Sequence, residues 1–335
     1  MRQNHRRVML SAAMVAAGLT FPASASATSL AYLDAKEVWV ANTDGSSKTR
    51  LSGGEGDWTA VSQNPQGWIV GVQNEAGKIA DLSRFTVWNP QGTVQYRGPL
   101  ARGQAGASYA YPLGINVTAS GGAIIYGYSA YTAFPASSLQ KGFYVLPSST
   151  VVTPTLGPLS VSSAQFVSLA AGDRVVGTLN ETTIGVQSAE SIGSTDFVPW
   201  LSVGNLPNHS YLTLDTSDDG KIVIAEVDEE TGGGNDVQRI NVTRTEGLGL
   251  PYVDDCFLGV PTADEPEYPT VSPTGDLIAW TDKGGVKLTA VPNLRPAGPP
   301  TCELPSPVAT ISATGSYPSL GGFDLAGYLA RIAGP

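Results

Sequence analysis

Histidine is nearly absent from this 335-residue chain, which holds two. His5 falls in a segment read below as a leader, so Ser-His-Asp or Cys-His chemistry would have to run through His209 alone. His209 sits at the end of Asn205-Leu-Pro-Asn-His209, a loop leading into a strand, where a lone histidine is ordinarily solvated. No Gly-x-Ser-x-Gly elbow, His-Glu-x-x-His pair or phosphate-binding loop is present. No catalytic residue and no cofactor are assigned on this basis. Cysteine is equally scarce. In an exported chain the pair Cys256 and Cys302 reads first as one disulfide, and metal ligation by two cysteines without a nearby histidine is the weaker reading.

Long apolar runs are missing too. The stretch from Val8 to Phe21 follows Arg2, Arg6 and Arg7, and is too short and too rich in Ala and Gly to span a membrane. With the Ala-Ser-Ala-Ser-Ala that follows, it has the three-part layout of a secretory signal peptide cleaved after Ala27. Residues 1–27 are therefore read as a leader, and 28–335 as one exported domain, periplasmic, envelope-associated or extracellular. Arg6-Arg7 also fits a twin-arginine export signal loosely, and no Cys at the cleavage site indicates a lipid anchor. Basic residues are few. Taking Arg2, Arg6 and Arg7 from the 19 Lys and Arg leaves 16 against 29 Asp and Glu, a balance that repels nucleic acid and anionic lipid.

Glycine-marked turns, by contrast, recur. Ser272-Pro273-Thr274-Gly275 is a tight turn, because Pro presets φ and Gly accepts a positive φ; the strand Leu277 to Trp280 follows it. Looser copies run through Trp58 to Gly67, Tyr111 to Gly122, Val167 to Gly172, Tyr211 to Gly220 and Tyr317 to Gly322. The turn glycines Gly67, Gly122, Gly172, Gly220, Gly275 and Gly322 are 47 to 55 residues apart. That spacing suits a four-stranded sheet per repeat, the blade of a β-propeller. The last copy holds two strands, the second over Leu325 to Leu329, while Leu30 to Leu33 and Lys36 to Val40 are strands with no preceding repeat. The expected fold is all-β: six blades, with five or seven as the alternatives because the repeats from Gln140 to Ser210 are poorly marked, closed by pairing of the N- and C-terminal strands so that no edge is left open.

Pro269, Ser272, Pro273 and Gly275, with Val38, Trp39, Asp44 and Gly45, resemble the repeats of the TolB-type propeller family. Val271 and Thr274 depart from that family's Trp and Asp. The resemblance implies a propeller, here without the separate N-terminal domain of TolB itself.

Candidate ligand residues are sparse. Asp215, Ser217, Asp219 and Glu226 fall at the spacing of a calcium loop. Both flanks read as strands, and the extended run from Gly220 to Glu226, about 20 Å, carries Glu226 away from the ion. What remains is a reduced calcium candidate of Asp215, Ser217 and Asp219, with the alternative that these residues only make the turn. Asp228, Glu229, Glu230 and Asp236 are read as an acidic loop able to meet a basic partner. Tyr131 and Phe134, in a loop after the second repeat, are contact candidates, whereas Tyr126 and Tyr128 share a strand face and suit packing. The functional expectation is a monomeric, non-enzymatic propeller presenting loops to a protein or cell-envelope component. The alternatives are a carbohydrate-binding module and a small glycan hydrolase or lyase using acids near the channel.

Overall fold

The structure, a computed structural model, describes residues 29–54, 56–74, 84–99, 107–132, 139–147, 166–180, 182–187, 196–202, 209–230, 236–294 and 301–334. The leader expected over 1–27 lies outside them. Strands β1 (Ser29–Asp34), β2 (Glu37–Asn42) and β3 (Lys48–Arg50) are followed by β4 (Trp58–Gln63), β5 (Ile69–Gln73), β6 (Arg84–Trp88) and β7 (Val94–Pro99). Next come β8 (Ala107–Val117), β9 (Ala123–Thr132) and β10 (Leu139–Pro147), then β11 (Val167–Ala170), β12 (Arg174–Asn180), β13 (Thr183–Gln187) and β14 (Phe197–Ser202). The fifth group is β15 (His209–Thr216), β16 (Ile222–Glu230), β17 (Asp236–Thr245) and β18 (Tyr252–Leu258). The chain ends with β19 (Glu267–Val271), β20 (Leu277–Asp282), β21 (Gly285–Ala290), β22 (Thr301–Cys302), β23 (Ala309–Ser312), β24 (Ser316–Gly321) and the helix α1 (Leu325–Ile332).

These strands make an all-β propeller of antiparallel meanders. Two strands leave the simple order. β22 lies parallel to β18 at the outer edge of its sheet, and β24 pairs with β1 through Leu30 opposite Leu320. Five sheets carry the four or more strands of a complete blade. The sheet β8 to β10 carries three among the described residues, so the expected six complete blades are corrected to five, with a three-stranded sheet beside them.

Apolar clusters shared by neighbouring sheets hold the blades together. Val223, Ala225 and Val227 on β16 pack with Val176 and Val186, while Ile224 on the opposite face packs with Ile278 and Trp280. A strand buried on both faces reads as a continuous apolar run, which is why Ile222 to Ala225 shows no alternation. Each large side chain fully buried this way contributes roughly 1.5 to 3 kcal/mol. The turn over Ser217 to Gly220 needs its glycine twice over: φ is +69°, and a Cβ there would lie 2.5 Å from the Leu248 backbone. In the second repeat the positive φ falls on Gly121, not on the expected Gly122.

The chain's end departs from the expected second strand. Leu325 to Ile332 is helical, with the Asp324 side chain accepting from the Gly327 amide at the helix start. Leu325, Tyr328 and Leu329 recur at helical spacing and pack against the cluster of Leu51, Trp58 and Trp88. One strand, β24, therefore joins three from the N-terminus.

Candidate functional site

Strands β4, β8, β11, β15, β19 and β24 each begin a sheet, and side chains from all six line one channel of about 680 Å³. Polar side chains stitch these inner strands to one another. The Gln63 side-chain amide donates to Ser319 O at 2.5 Å and Ser29 O at 2.9 Å, linking β4 to β24 and β1. Asn116 accepts from Ser62 Oγ at 3.3 Å and donates to Val167 O at 2.8 Å, linking β4, β8 and β11. Asp215 does the same with a carboxylate. It accepts from Ser168 Oγ at 2.6 Å, Thr270 Oγ1 at 2.7 Å, the Val271 amide at 3.1 Å and the Thr216 amide at 2.9 Å. Thr270 Oγ1 also accepts from the Leu320 amide at 3.3 Å, joining β19 to β24. Buried polar groups that satisfy one another in this way rigidify the channel wall.

Where β19 and β24 begin, the channel becomes aromatic and acidic. Tyr268 and Tyr317 stand at φ +52° and +51°, in the left-handed region that non-glycine residues rarely occupy, and each precedes a proline. Both sit where the strand register shifts, an extra residue that redirects the side chain. Their rings stack at 3.8 Å between centroids, and Tyr317 Oη donates to Tyr268 Oη at 2.9 Å. Burial pushes both phenols up.

Glu226 reaches this pair from β16. Its Oε2 accepts from the Tyr268 amide at 3.0 Å and from Thr213 Oγ1 at 3.4 Å. Burial, with Glu267 and Asp228 nearby, raises the Glu226 carboxyl to about 7, against the pull of the Tyr268 amide. Burial also raises Glu267, with Glu265 adding to it, and raises Asp218 to about 6, where Asp215 and Asp219 add to it. Asp215, Asp218, Glu226 and Glu267 all line the channel, and among the described residues its lining includes no Lys, Arg or His.

The expected ligand residues are placed as follows. Asp215 spends its carboxylate on the inter-strand bonds above, while Asp219 accepts from Ser217 Oγ and the Lys221 amide and pairs with Lys221 Nζ at 3.0 Å. Of the three calcium candidates, Ser217 and Asp219 thus bond to each other in the turn, while Asp215 takes partners on other strands. Glu226 is not carried away by the extended run as expected, since the β15–β16 hairpin folds back and sets it opposite Thr213 and into the channel that Asp215 lines. Asp228, Glu229 and Glu230 are on β16 and Asp236 is on β17, so these acids belong to paired strands and not to a loop. Glu229 is engaged by Arg239 Nε at 2.9 Å and lies 3.9 Å from His209 Nε2. His209 itself opens β15 with 8% of its side chain exposed, in place of the expected solvated loop. Tyr131 lies on β9, paired in register with Leu139 and Tyr109, and not in the loop expected for it. Phe134 lies outside the described residues. Cys256 and Cys302 are disulfide-bonded with Cα atoms 5.6 Å apart, joining adjacent outer strands β18 and β22.

Sequence reasoning missed Glu226 as a channel residue, and Glu267, Tyr268 and Tyr317 altogether. The available signal was Tyr-Pro, which recurs at Tyr111, Tyr268 and Tyr317 where inner strands run.

No protein-family model matches the chain, and no curated protein matches it significantly. Among solved structures, puromycin hydrolase is similar at 15% identity and TM-score 0.45, over 84% of this chain and 48% of that one. Hydrazine synthase from Kuenenia stuttgartiensis is similar at 9% identity and TM-score 0.47, over 90% and 47%. A duf4221 family member from Bacteroides vulgatus is similar at 8% and TM-score 0.42, over 82% and 94%. The chain spans about half the length of the first two. No helix among the described residues is long and apolar enough to cross a membrane.

Proposed function

We propose that residues 28–335 form one exported, monomeric, non-enzymatic propeller that binds a protein or cell-envelope component at its channel mouth. In this reading β24 beside β1 closes the ring. The TolB-like repeat residues and the disulfide, a bond of oxidising compartments, fit an exported chain. The observation that carries the function is the stacked pair Tyr268 and Tyr317, held at strained backbone angles at the mouth of a formed channel. Strain of this kind costs about 1 to 3 kcal/mol per residue and clusters at ligand clamps. Aromatics in such positions dominate recognition surfaces.

The test is capture of partners from a cell-envelope extract, comparing the mature chain with a Tyr268→Ala, Tyr317→Ala double variant that retains its melting transition. A partner lost with the tyrosines supports the reading, and an unchanged set of partners overturns it. A second reading, glycan hydrolysis, draws on the channel carboxyl of Glu226 raised to about 7, the range of a general acid. Release of reducing sugar from envelope glycan, abolished by Glu226→Gln, would favour it over binding alone.

A further inference from the structure

The channel mouth also specifies the chemistry of what enters, an inference that rests on the binding reading above. Some acids elsewhere meet cations: Glu229 pairs with Arg239, Asp254 with Arg244 at 2.8 Å, and Glu265 with Lys283 at 2.9 Å. Glu226 and Glu267 have no such partner among the described residues. Glu226 is 3% exposed, and while its Oε2 is anchored by the Tyr268 amide and Thr213, its Oε1 accepts no hydrogen bond among the described residues. A carboxylate oxygen that lines the channel with no donor on it is open to a donor carried by a ligand. Alternation along β16 puts Asp228 and Glu230 on the same face as Glu226, so negative charge continues from the channel along that strand.

The missing group is a cation, and its kind can be narrowed. No three His, Cys, Asp or Glu among the described residues gather as a metal site would require. The tyrosine pair offers aromatic surface, which attracts an organic cation. The lining also carries aliphatic residues among its polar ones: Val61, Ile115, Val117, Val167, Leu214 and Val271. We propose that the channel binds a primary ammonium group carried on an aliphatic stem, the head meeting Glu226 Oε1 and Glu267 beside Tyr268 and Tyr317, the stem lying along the apolar lining. A lysine side chain of the partner and a free polyamine share this chemistry.

Titration calorimetry on the full mature chain separates the two sources, using an end-blocked Gly-Lys-Gly peptide, its Nζ-acetylated form, and spermidine. The lysine peptide should bind and the acetylated peptide should not. Glu226→Gln should weaken binding at least about tenfold, the effect of removing one partner of a desolvated charge pair. Glu267→Gln, which leaves the Tyr268 amide anchor intact, should weaken it in the same direction, so a folding defect in the first variant would not hide the result. Asp44→Asn, an exposed acid in the turn between β2 and β3 and outside the channel lining, should leave affinity unchanged. Equal binding of acetylated and free lysine, or full affinity in both channel variants, overturns the proposal. Binding of spermidine without the lysine peptide keeps the ammonium site and counts against a protein partner. Failure of both cations, with partner capture still dependent on the tyrosines, removes the ammonium site and leaves the binding function standing.

Discussion

The wall of the channel built by β4, β8 and β11 is lined with amides and hydroxyls, whereas the wall built by β15, β16, β19 and β24 carries carboxylates and tyrosines. Both walls face the same structural task, joining one inner strand to the next. Gln63 and Asn116 do it with side chains that donate and accept together, so each satisfies its neighbours and no net charge is left. Asp215 does it with an acceptor only, and four donors converge on it. Glu226 and Glu267 are not used up in this way. An amide wall ends in balance, and a carboxylate wall retains charge that a ligand can use.

The largest expected effect comes at the seam between the walls. Deleting residues 28–45 removes β1 and β2 and leaves β24 with an open edge beside β4. The trimmed chain should aggregate or lose its fixed tertiary signal by near-ultraviolet circular dichroism. A trimmed monomer melting where the full mature chain melts would show that the seam carries no load. Next is Asp215→Ala, expected to cost about 4 kcal/mol at roughly 1 kcal/mol for each donor left behind. Gln63→Ala should cost less, about 3 kcal/mol at the same rate, because its side chain makes three such bonds where Asp215 makes four. Urea denaturation of the two variants side by side checks this, and equal costs would erase the difference between the walls.

Replacing both Cys256 and Cys302 by Ser should lower stability by about 3 kcal/mol, while cation binding at the channel stays as in the parent. That separates the outer edge of the charged wall's sheet from its inner face. Two free thiols by mass spectrometry in the purified protein would contradict the bond itself.

A smaller effect follows pH. Burial chiefly raises Glu226 to about 7 in the folded chain, with Glu267 and Asp228 facing it and adding to the rise. The folded state then holds a proton that the unfolded state releases at ordinary carboxylate pH. Stability from this group is complete below about 4.5 and is lost as pH rises through about 7. Asp218, raised to about 6, acts in the same direction. The melting temperature should fall across this window, and Glu226→Gln should flatten its upper part; an unchanged slope in the variant would assign the effect elsewhere. The smallest change is expected from Tyr317→Phe, which removes the hydroxyl contact with Tyr268 but keeps the stacked rings. It should cost about 1 kcal/mol, measured by thermal denaturation, with binding of the lysine peptide little altered.

Much of the propeller was legible because its signals are local. A glycine needed at positive φ stays visible as a glycine, as at Gly220 and Gly275, and a strand packed on both faces stays visible as Ile222 to Ala225. The helix at Leu325 was harder to read, since a short apolar run fits a strand until Tyr328 and Leu329 are known to share a packing face with Leu325. The site was not legible at all. Glu226 and Tyr268 are 42 residues apart, and Tyr268 and Tyr317 are 49 apart, distances across which no spacing rule operates.

The amino-acid sequence by itself determined the repeating sheets, the turns between them, the surplus of acid over base and the pairing of its two cysteines, because each depends on residue type, short-range geometry or simple count. Only the tertiary structure decided which acids share a channel, that Asp215 stitches strands while Glu226 is anchored through one oxygen, and that two tyrosines from neighbouring blades stack. Those outcomes depend on how the inner strands of separate sheets converge, and convergence in space is set by the packing of all the blades together.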